Sequence, residues 1–187
     1  MDYDWKNDQK TTEICREMGS YPCITSYNAE GNLAQAKKEY QIKSILDLGC
    51  GRGNILNCAL SADIPIADGV EFFKSHISAA RRTLKKFDKS RYKIYQGDIR
   101  TWQPKKKYDL IYMFDPICQE ESRKPFFDNL MNYLPDEQLI IYIAVDLART
   151  HNLLANHFEH ASENSEFPMF KYHKIAVPDR NTFWKDK

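Results

Sequence analysis

The sequence predicts an α/β protein, a three-layer sandwich of helices around a mostly parallel sheet that ends in an antiparallel hairpin. Three observations carry this. From Lys43 onward, short apolar runs alternate with longer amphipathic ones, the order that parallel strands joined by right-handed crossovers require. In Ile45-Leu46-Asp47-Leu48-Gly49-Cys50-Gly51-Arg52-Gly53-Asn54, a buried strand runs into a glycine-rich turn that opens a helix. Near the C-terminus, two strand-like runs are joined by too little chain for a crossover helix, so they pair antiparallel.

The elements follow in order. Residues 1 to about 40 read as polar and helical, broken near Gly19-Ser20-Tyr21-Pro22, with a second helix after Ser26 or Asn28. Strand one is Ser44–Leu48, followed by a helix from about Gly53 to Leu60. Strand two is Ile66–Glu71, with a helix from about Lys74 to Phe87. Strand three is Lys93–Gln96. Strand four, Asp109–Phe114, is apolar along its length and so is buried on both faces. A helix over Glu120–Tyr133, a strand over Gln138–Val145 and a helix over Arg149–Asn156 follow. Runs at Phe158–Ala161 and Phe170–Val177 make the closing hairpin. The 187 residues suit one domain, with residues 1–42 as a helical segment that lids the site and 43–187 as the core.

Composition narrows the function. Apolar residues make up 42%, enough for a packed core, and the formal net charge of +1 gives no global field for nucleic acid or membrane. No run approaches the roughly 20 apolar residues of a membrane span, and Met1-Asp2-Tyr3-Asp4-Trp5-Lys6 has no signal-peptide core. The expectation is a cytoplasmic protein. Cys15, Cys23, Cys50, Cys58 and Cys118 are scattered, with no C-x-x-C pair, and His157 and His160 lack neighbouring ligands, so no metal site is expected. Lys105-Lys106-Lys107 reads as a solvated turn, and Arg81-Arg82 with Lys85-Lys86 as a solvent face. Nothing in the pattern sets an oligomeric state.

The glycine turn is the chemical centre. Glycines at alternate positions let bare backbone approach a ligand, and the next helix turns its free N–H groups toward it. A dinucleotide fingerprint needs a glycine where Asn54 stands, which disfavours a nicotinamide cofactor. Asp47, just before the glycines, would repel a pyrophosphate but could accept a hydrogen bond from an ammonium group or a ligand hydroxyl.

In an open α/β sheet the ligand lies at the carboxyl ends of the strands. Strand two ends in Glu71-Phe72, with Glu71 18 residues after Gly53, about where a ribose-binding acid is expected. Strand three ends in Gln96-Gly97-Asp98-Ile99, where Asp98 can accept an adenine amino group and Ile99 can flank the ring. Taken singly, each has a blander reading: a tight turn, a helix cap at Glu71, a turn residue at Asp98. Together they fall at successive strand ends in the order one adenosine ligand requires.

D-x-G-x-G-x-G from Asp47 to Gly53 resembles motif I of the class I S-adenosylmethionine-dependent methyltransferases. The element order over Lys43 to Val177 is similar to theirs too. The resemblance implies a Rossmann-like, seven-stranded sheet and S-adenosylmethionine as cofactor. It implies Asp47, Gly49, Cys50, Gly51 and Gly53 as the loop under the methionine part, Glu71 and Phe72 at the ribose, and Asp98 and Ile99 at the adenine. Enzymes of this family that methylate amino groups often carry Asp/Asn-Pro-Pro-aromatic after strand four. Here Asp115-Pro116-Ile117-Cys118 keeps half of it, and Asp115 is the candidate catalytic residue facing the acceptor.

The acceptor is not encoded as plainly. Tyr21, Tyr27, Phe72, Trp102 and Phe114 are candidate aromatics for its pocket, Trp102 foremost. Near-neutral charge favours a small molecule or a protein side chain as methyl acceptor over RNA. A silent cofactor-binding module and an RNA methyltransferase are the alternatives.

Overall fold

The apolar runs of the first, second and fourth strands lie side by side, which is what buries them on both faces. The computed structural model describes residues 29–114, 116–117, 120–135, 137–143, 158–160 and 169–173. Within it β1 (Ser44–Leu48), β2 (Ile66–Glu71), β3 (Ile94–Gln96) and β4 (Leu110–Phe114) form a parallel sheet in the order β3-β2-β1-β4. The chain builds outward from β1 to β3, then crosses back to lay β4 on the other side of β1. That reversal is the switch point at which a crevice opens above the strand ends. β5 (Glu137–Ile143) runs parallel beside β4, with Leu139 opposite Leu110. The backbone of β6 (Phe158–His160) and β7 (Met169–His173) is also described.

Alternation along each strand divides the core in two. Ile45, Ala67, Leu110 and Tyr112 face one side, where α1 (Ala29–Tyr40), α2 (Asn54–Ser61) and α3 (Lys74–Thr83) cover them. Leu46, Leu48, Val70, Ile111 and Met113 face the other, covered by α4 (Glu120–Tyr133) through Phe126, Phe127 and Leu130. This is the expected three-layer arrangement. α1 is part of that core layer: Ala29, Leu33 and Ala36 recur at helical spacing and are buried in the same cluster as Ile45 and Leu56. A fully buried leucine such as Leu33 contributes roughly 1.5–3 kcal/mol.

Polar contacts fix the bases of the strands. The Asp109 carboxylate accepts from the backbone N–H groups of Lys43 and Ser44, each at 2.9 Å, and ties the start of β1 to that of β4. At the end of α2 the N–H of Ile64 bonds the Ala59 carbonyl and that of Asp63 bonds the Leu60 carbonyl. This is a left-handed stop in which Asp63 (φ 61°) stands where glycine is usual.

β1, β2 and α4 begin and end where the sequence predicts. The helix expected to reach Phe87 instead ends at Thr83. Beyond Leu84 the bonds tighten: Lys85 donates to the Arg82 carbonyl and Phe87 to the Leu84 carbonyl, each three residues back. β3 and β4 each start one residue late. Residues 1–28 and the helix expected at Arg149–Asn156 lie outside the described residues.

Candidate active site

The turn after β1 is forced into shape by its glycines. Gly49, Gly51 and Gly53 have φ of 85°, 52° and 79°, the left-handed region that a side chain disfavours. A Cβ on Gly49 would lie 3.2 Å from Pro116 Cβ, so the loop after β4 sits directly against the turn. The strand ends thus bring together the glycine loop and the start of the post-β4 loop. Asp115 itself lies outside the described residues, as do Tyr21, Tyr27 and Cys118.

Two acids meet under this turn. Glu71 is buried, and its Oε2 accepts from Gly51 N at 2.9 Å while Oε1 accepts from Phe73 N at 2.7 Å. One carboxylate therefore ties the glycine loop to the end of β2 and caps the entry to α3, whose N-cap Phe73 has no capping side chain. The helix-cap reading of Glu71 is realised in the structure, and it leaves one further lone pair on each oxygen for a ligand hydroxyl. His76 Nδ1 stands 3.8 Å from Oε1.

Asp47 is 3% exposed and has no hydrogen-bond or ion-pair partner among the described residues. Burial, and then the nearby Glu71 carboxylate, hold its pKa well above the usual carboxylate range. A buried carboxylate with a like charge beside it is stabilised by any cation brought next to it. Cys50 is placed differently: its side chain packs on Gly69, where any Cβ would come within 2.6 Å of it, so its thiol faces the core and only its backbone borders the turn.

At the end of β2, Phe72 is 46% exposed and edge-on to Phe73. A bare ring beside a ribose-type acid suits the flat face of a nucleoside. Ile99 is buried in the core layer that α4 covers. Asp98 stands at the end of β3, but its carboxylate is filled by Arg100. Arg100 Nε reaches both oxygens at 2.9 Å and Arg100 N reaches Oδ1 at 2.9 Å. This pairing, first through the side-chain bonds, holds the Asp98 pKa down. Arg100 Nη1 also lies 3.4 Å from Ser122 Oγ at the start of α4.

Sequence reasoning missed Arg100 and Asn129. Arg100 was legible as an acid and a cation two residues apart in one turn. Asn129 gives no such signal: it is a polar residue on the apolar stripe of α4. Its Nδ2 donates to the carbonyls of Ile99 at 3.0 Å and Trp102 at 2.8 Å, which clamps the loop after β3. Trp102, the favoured acceptor-pocket aromatic, packs instead on Gly97 and beside Tyr95 in the core. Phe114 packs against the opposite core cluster. Among the described residues no group of His, Cys, Asp and Glu could hold a metal ion, and no helix is long and apolar enough to cross a membrane.

The donor set fits an adenosine bearing a cationic tail. Left-handed glycines leave backbone bare, a buried acid without a partner among the described residues is suited to a cationic group, a second acid has lone pairs suited to hydroxyls, and an exposed ring is suited to a flat base.

Comparison with known proteins bears on the same set. The sequence profile of the methyltransferase domain matches residues 41–185. A curated relative, malonyl-[acyl-carrier protein] O-methyltransferase 2 of Ilyobacter polytropus, is 30% identical over 106 residues. That match spans 54% of this chain and 39% of the relative. A solved Methanococcus maripaludis structure, designated a candidate S-adenosyl-L-methionine-dependent methyltransferase, superposes with TM-score 0.66 at 14% identity, over 95% of this chain and 96% of that one. The S-adenosylmethionine-bound amino pentose methyltransferase of Micromonospora echinaspora superposes with TM-score 0.52 at 16% identity, over 75% of this chain and 58% of that one.

Proposed function

The chain belongs to the methyltransferase-domain family, class I enzymes whose cofactor is S-adenosylmethionine, and from that premise we propose how its own residues serve the reaction. The carrying observation is the buried pair beneath the turn, Glu71 bonded to Gly51 and Asp47 unpartnered beside it. Asp47 holds the cofactor's ammonium group, and the backbone of Gly49, Cys50, Gly51 and Gly53 lies under its methionine part. Glu71 accepts the ribose hydroxyls and Phe72 flanks the sugar and base. Ile99 packs on the adenine, whose amino group competes with Arg100 for Asp98.

When bound, S-adenosylmethionine supplies a methyl group already activated by the sulfonium. The protein then has to align the acceptor in line with that methyl and exclude water. The loop after β4 is placed to do this, because Pro116 lies against Gly49. Asp115, its neighbour in the chain, is the residue we assign to take the acceptor's proton where one must leave.

The rest of the reading is in keeping. The backbone of β7 pairs antiparallel with β5 and β6, supporting a seven-stranded sheet closed by a C-terminal hairpin. Of the segment 1–42 read as a lid, Ala29–Tyr40 packs in the core instead, and the protein is read as cytoplasmic. Total charge alone favours a small molecule or a protein side chain as acceptor, and the way that charge is distributed reverses the preference.

Calorimetry with S-adenosylmethionine tests the site. Glu71→Ala should weaken binding by about 1.5–3 kcal/mol, the usual worth of bonds to a charged group. Unchanged affinity would remove Glu71 from the site. Radiolabelled methyl transfer to a cell extract reports the activity itself.

A further inference from the structure

The basic residues are unevenly placed. Residues 74–93 hold eight of the chain's 27 lysines and arginines and one of its 26 acids, a net +7. The other 19 basic and 25 acidic residues leave −6 elsewhere. These residues form α3, the turn after it, a 3₁₀ turn at Lys89–Arg91 and the approach to β3. α3 packs against β2 and β3, and β3 is the sheet's edge, so the segment runs from one face of the sheet to its edge. It begins at Lys74, three residues after Glu71, and so starts at the rim of the site.

Arg81, Arg82, Lys85, Lys86, Lys89 and Lys93 are exposed and have no ion pair among the described residues. The segment's one acid is spent, since Asp88 accepts from Ser90 N at 2.8 Å. An ordinary solvated face interleaves both signs. The helix dipole accounts for Arg81 and Arg82 in the last turn of α3, but not for Lys89 and Lys93 beyond it. Flat rings lie among the cations. Lys86 Nζ is 4.9 Å from the centroid of half-buried Phe87, and half-buried Tyr92 packs on the same side of the sheet, while at the sheet's edge Lys93 Nζ is 4.9 Å from half-buried Tyr95, which packs on the other side. Cations that track a backbone and rings that meet bases are the make-up of single-strand binding surfaces. An acidic protein would use the cations but has no need of the rings.

We propose that the α3–β3 flank binds single-stranded nucleic acid along its sugar–phosphate backbone and delivers it to the strand-end site as a polymeric acceptor. The delivery role rests on the methyltransferase reading, and the binding does not. The test is fluorescence anisotropy with a labelled single-stranded RNA of about 20 nucleotides and a DNA of the same sequence. At about 50 mM salt the wild-type chain should bind, with log K falling against log salt at a slope of about −3 for four phosphate contacts. Arg81→Gln with Lys85→Gln should weaken binding about 10-fold and reduce the slope by about 1.4, leaving S-adenosylmethionine affinity and thermal stability unchanged. Arg82→Gln with Lys86→Gln should do the same. Equal binding of DNA assigns recognition to the phosphates, stronger binding of RNA adds the 2′-hydroxyl, and both support the proposal. No binding at low salt, variants that bind like the wild type, or displacement of RNA by polyglutamate at equal charge would overturn it. RNA binding by a chain that does not bind S-adenosylmethionine would overturn the delivery role.

Discussion

Asp47 and Asp68 are both 3% exposed, and their neighbours in the ladder are offset by one residue, Asp68 lying opposite Leu46 and Asp47 opposite Gly69. They point to opposite faces of the sheet. Asp68 is fully engaged: Tyr108 Oη donates to it at 2.7 Å and Lys106 Nζ lies 2.8 Å away. Asp47 has neither kind of partner among the described residues, and a second carboxylate, Glu71, stands close enough to push its pKa up. A buried charge that the fold neutralises belongs to stability. One that the fold leaves open, beside a glycine-rich turn, is the one we assign to a ligand.

Substitution should separate the two. The largest effect is expected at Asp68. Asp68→Ala strands the Tyr108 hydroxyl and opens a cavity, for a loss of about 2–3 kcal/mol once the half-exposed Lys106 is discounted, and thermal melting should fall by roughly 4–10 °C. S-adenosylmethionine affinity of the folded protein should not change. Asp47→Asn should move both readouts the other way. Calorimetry should show cofactor binding weakened about 10-fold or more, while the ligand-free protein melts higher at neutral pH. If Asp47→Asn melted lower, the carboxylate would have a partner in the fold.

The pH dependence follows from the raised pKa. Folded Asp47 keeps its proton to higher pH than the unfolded chain does. Its ionisation therefore costs stability as pH rises from the unfolded value, about 4, through the folded one, and the cost is then constant. The stability gap between wild type and Asp47→Asn should be near zero at low pH and open across that window. Cofactor affinity should rise over the same window, because the ammonium group needs the ionised form. The smallest effect is expected at Arg100. Arg100→Ala frees Asp98 for the adenine amino group and should tighten S-adenosylmethionine binding by about 2- to 10-fold, since a partly exposed pair is worth little. Weaker binding would mean that Arg100 itself touches the cofactor.

Much of this was legible in the sequence, and for particular reasons. The ends of β1 and β2 could be read because their apolar runs stop at a glycine turn and at an acid. The end of α3 could not, because Leu84, Lys85 and Lys86 are all good helix formers and only the packing of Leu84 in the core marks the change of winding. Asp47 and Glu71 were found because strand ends are where topology places a ligand. That Glu71 also holds Gly51 depends on the fold of the turn, which spacing does not reveal. Arg100 was passed over because Asp98 was weighed as an adenine acceptor or a turn residue and not against the cation two residues on. Net charge hides an asymmetry for a simpler reason: +1 is the sum of +7 over residues 74–93 and −6 elsewhere.

Pro125 lies inside α4, where it has no N–H to give to the carbonyl of Glu121. Downstream of it, Phe126, Phe127 and Leu130 are buried and Asn129 holds two carbonyls, so that part of the helix is anchored. Upstream, Ser122 meets Arg100, and Arg123 Nε reaches the Ile117 carbonyl at 3.2 Å. The missing rung leaves the first turn of α4, which touches the loops after β3 and β4, joined to the anchored part of the helix by one backbone hydrogen bond fewer.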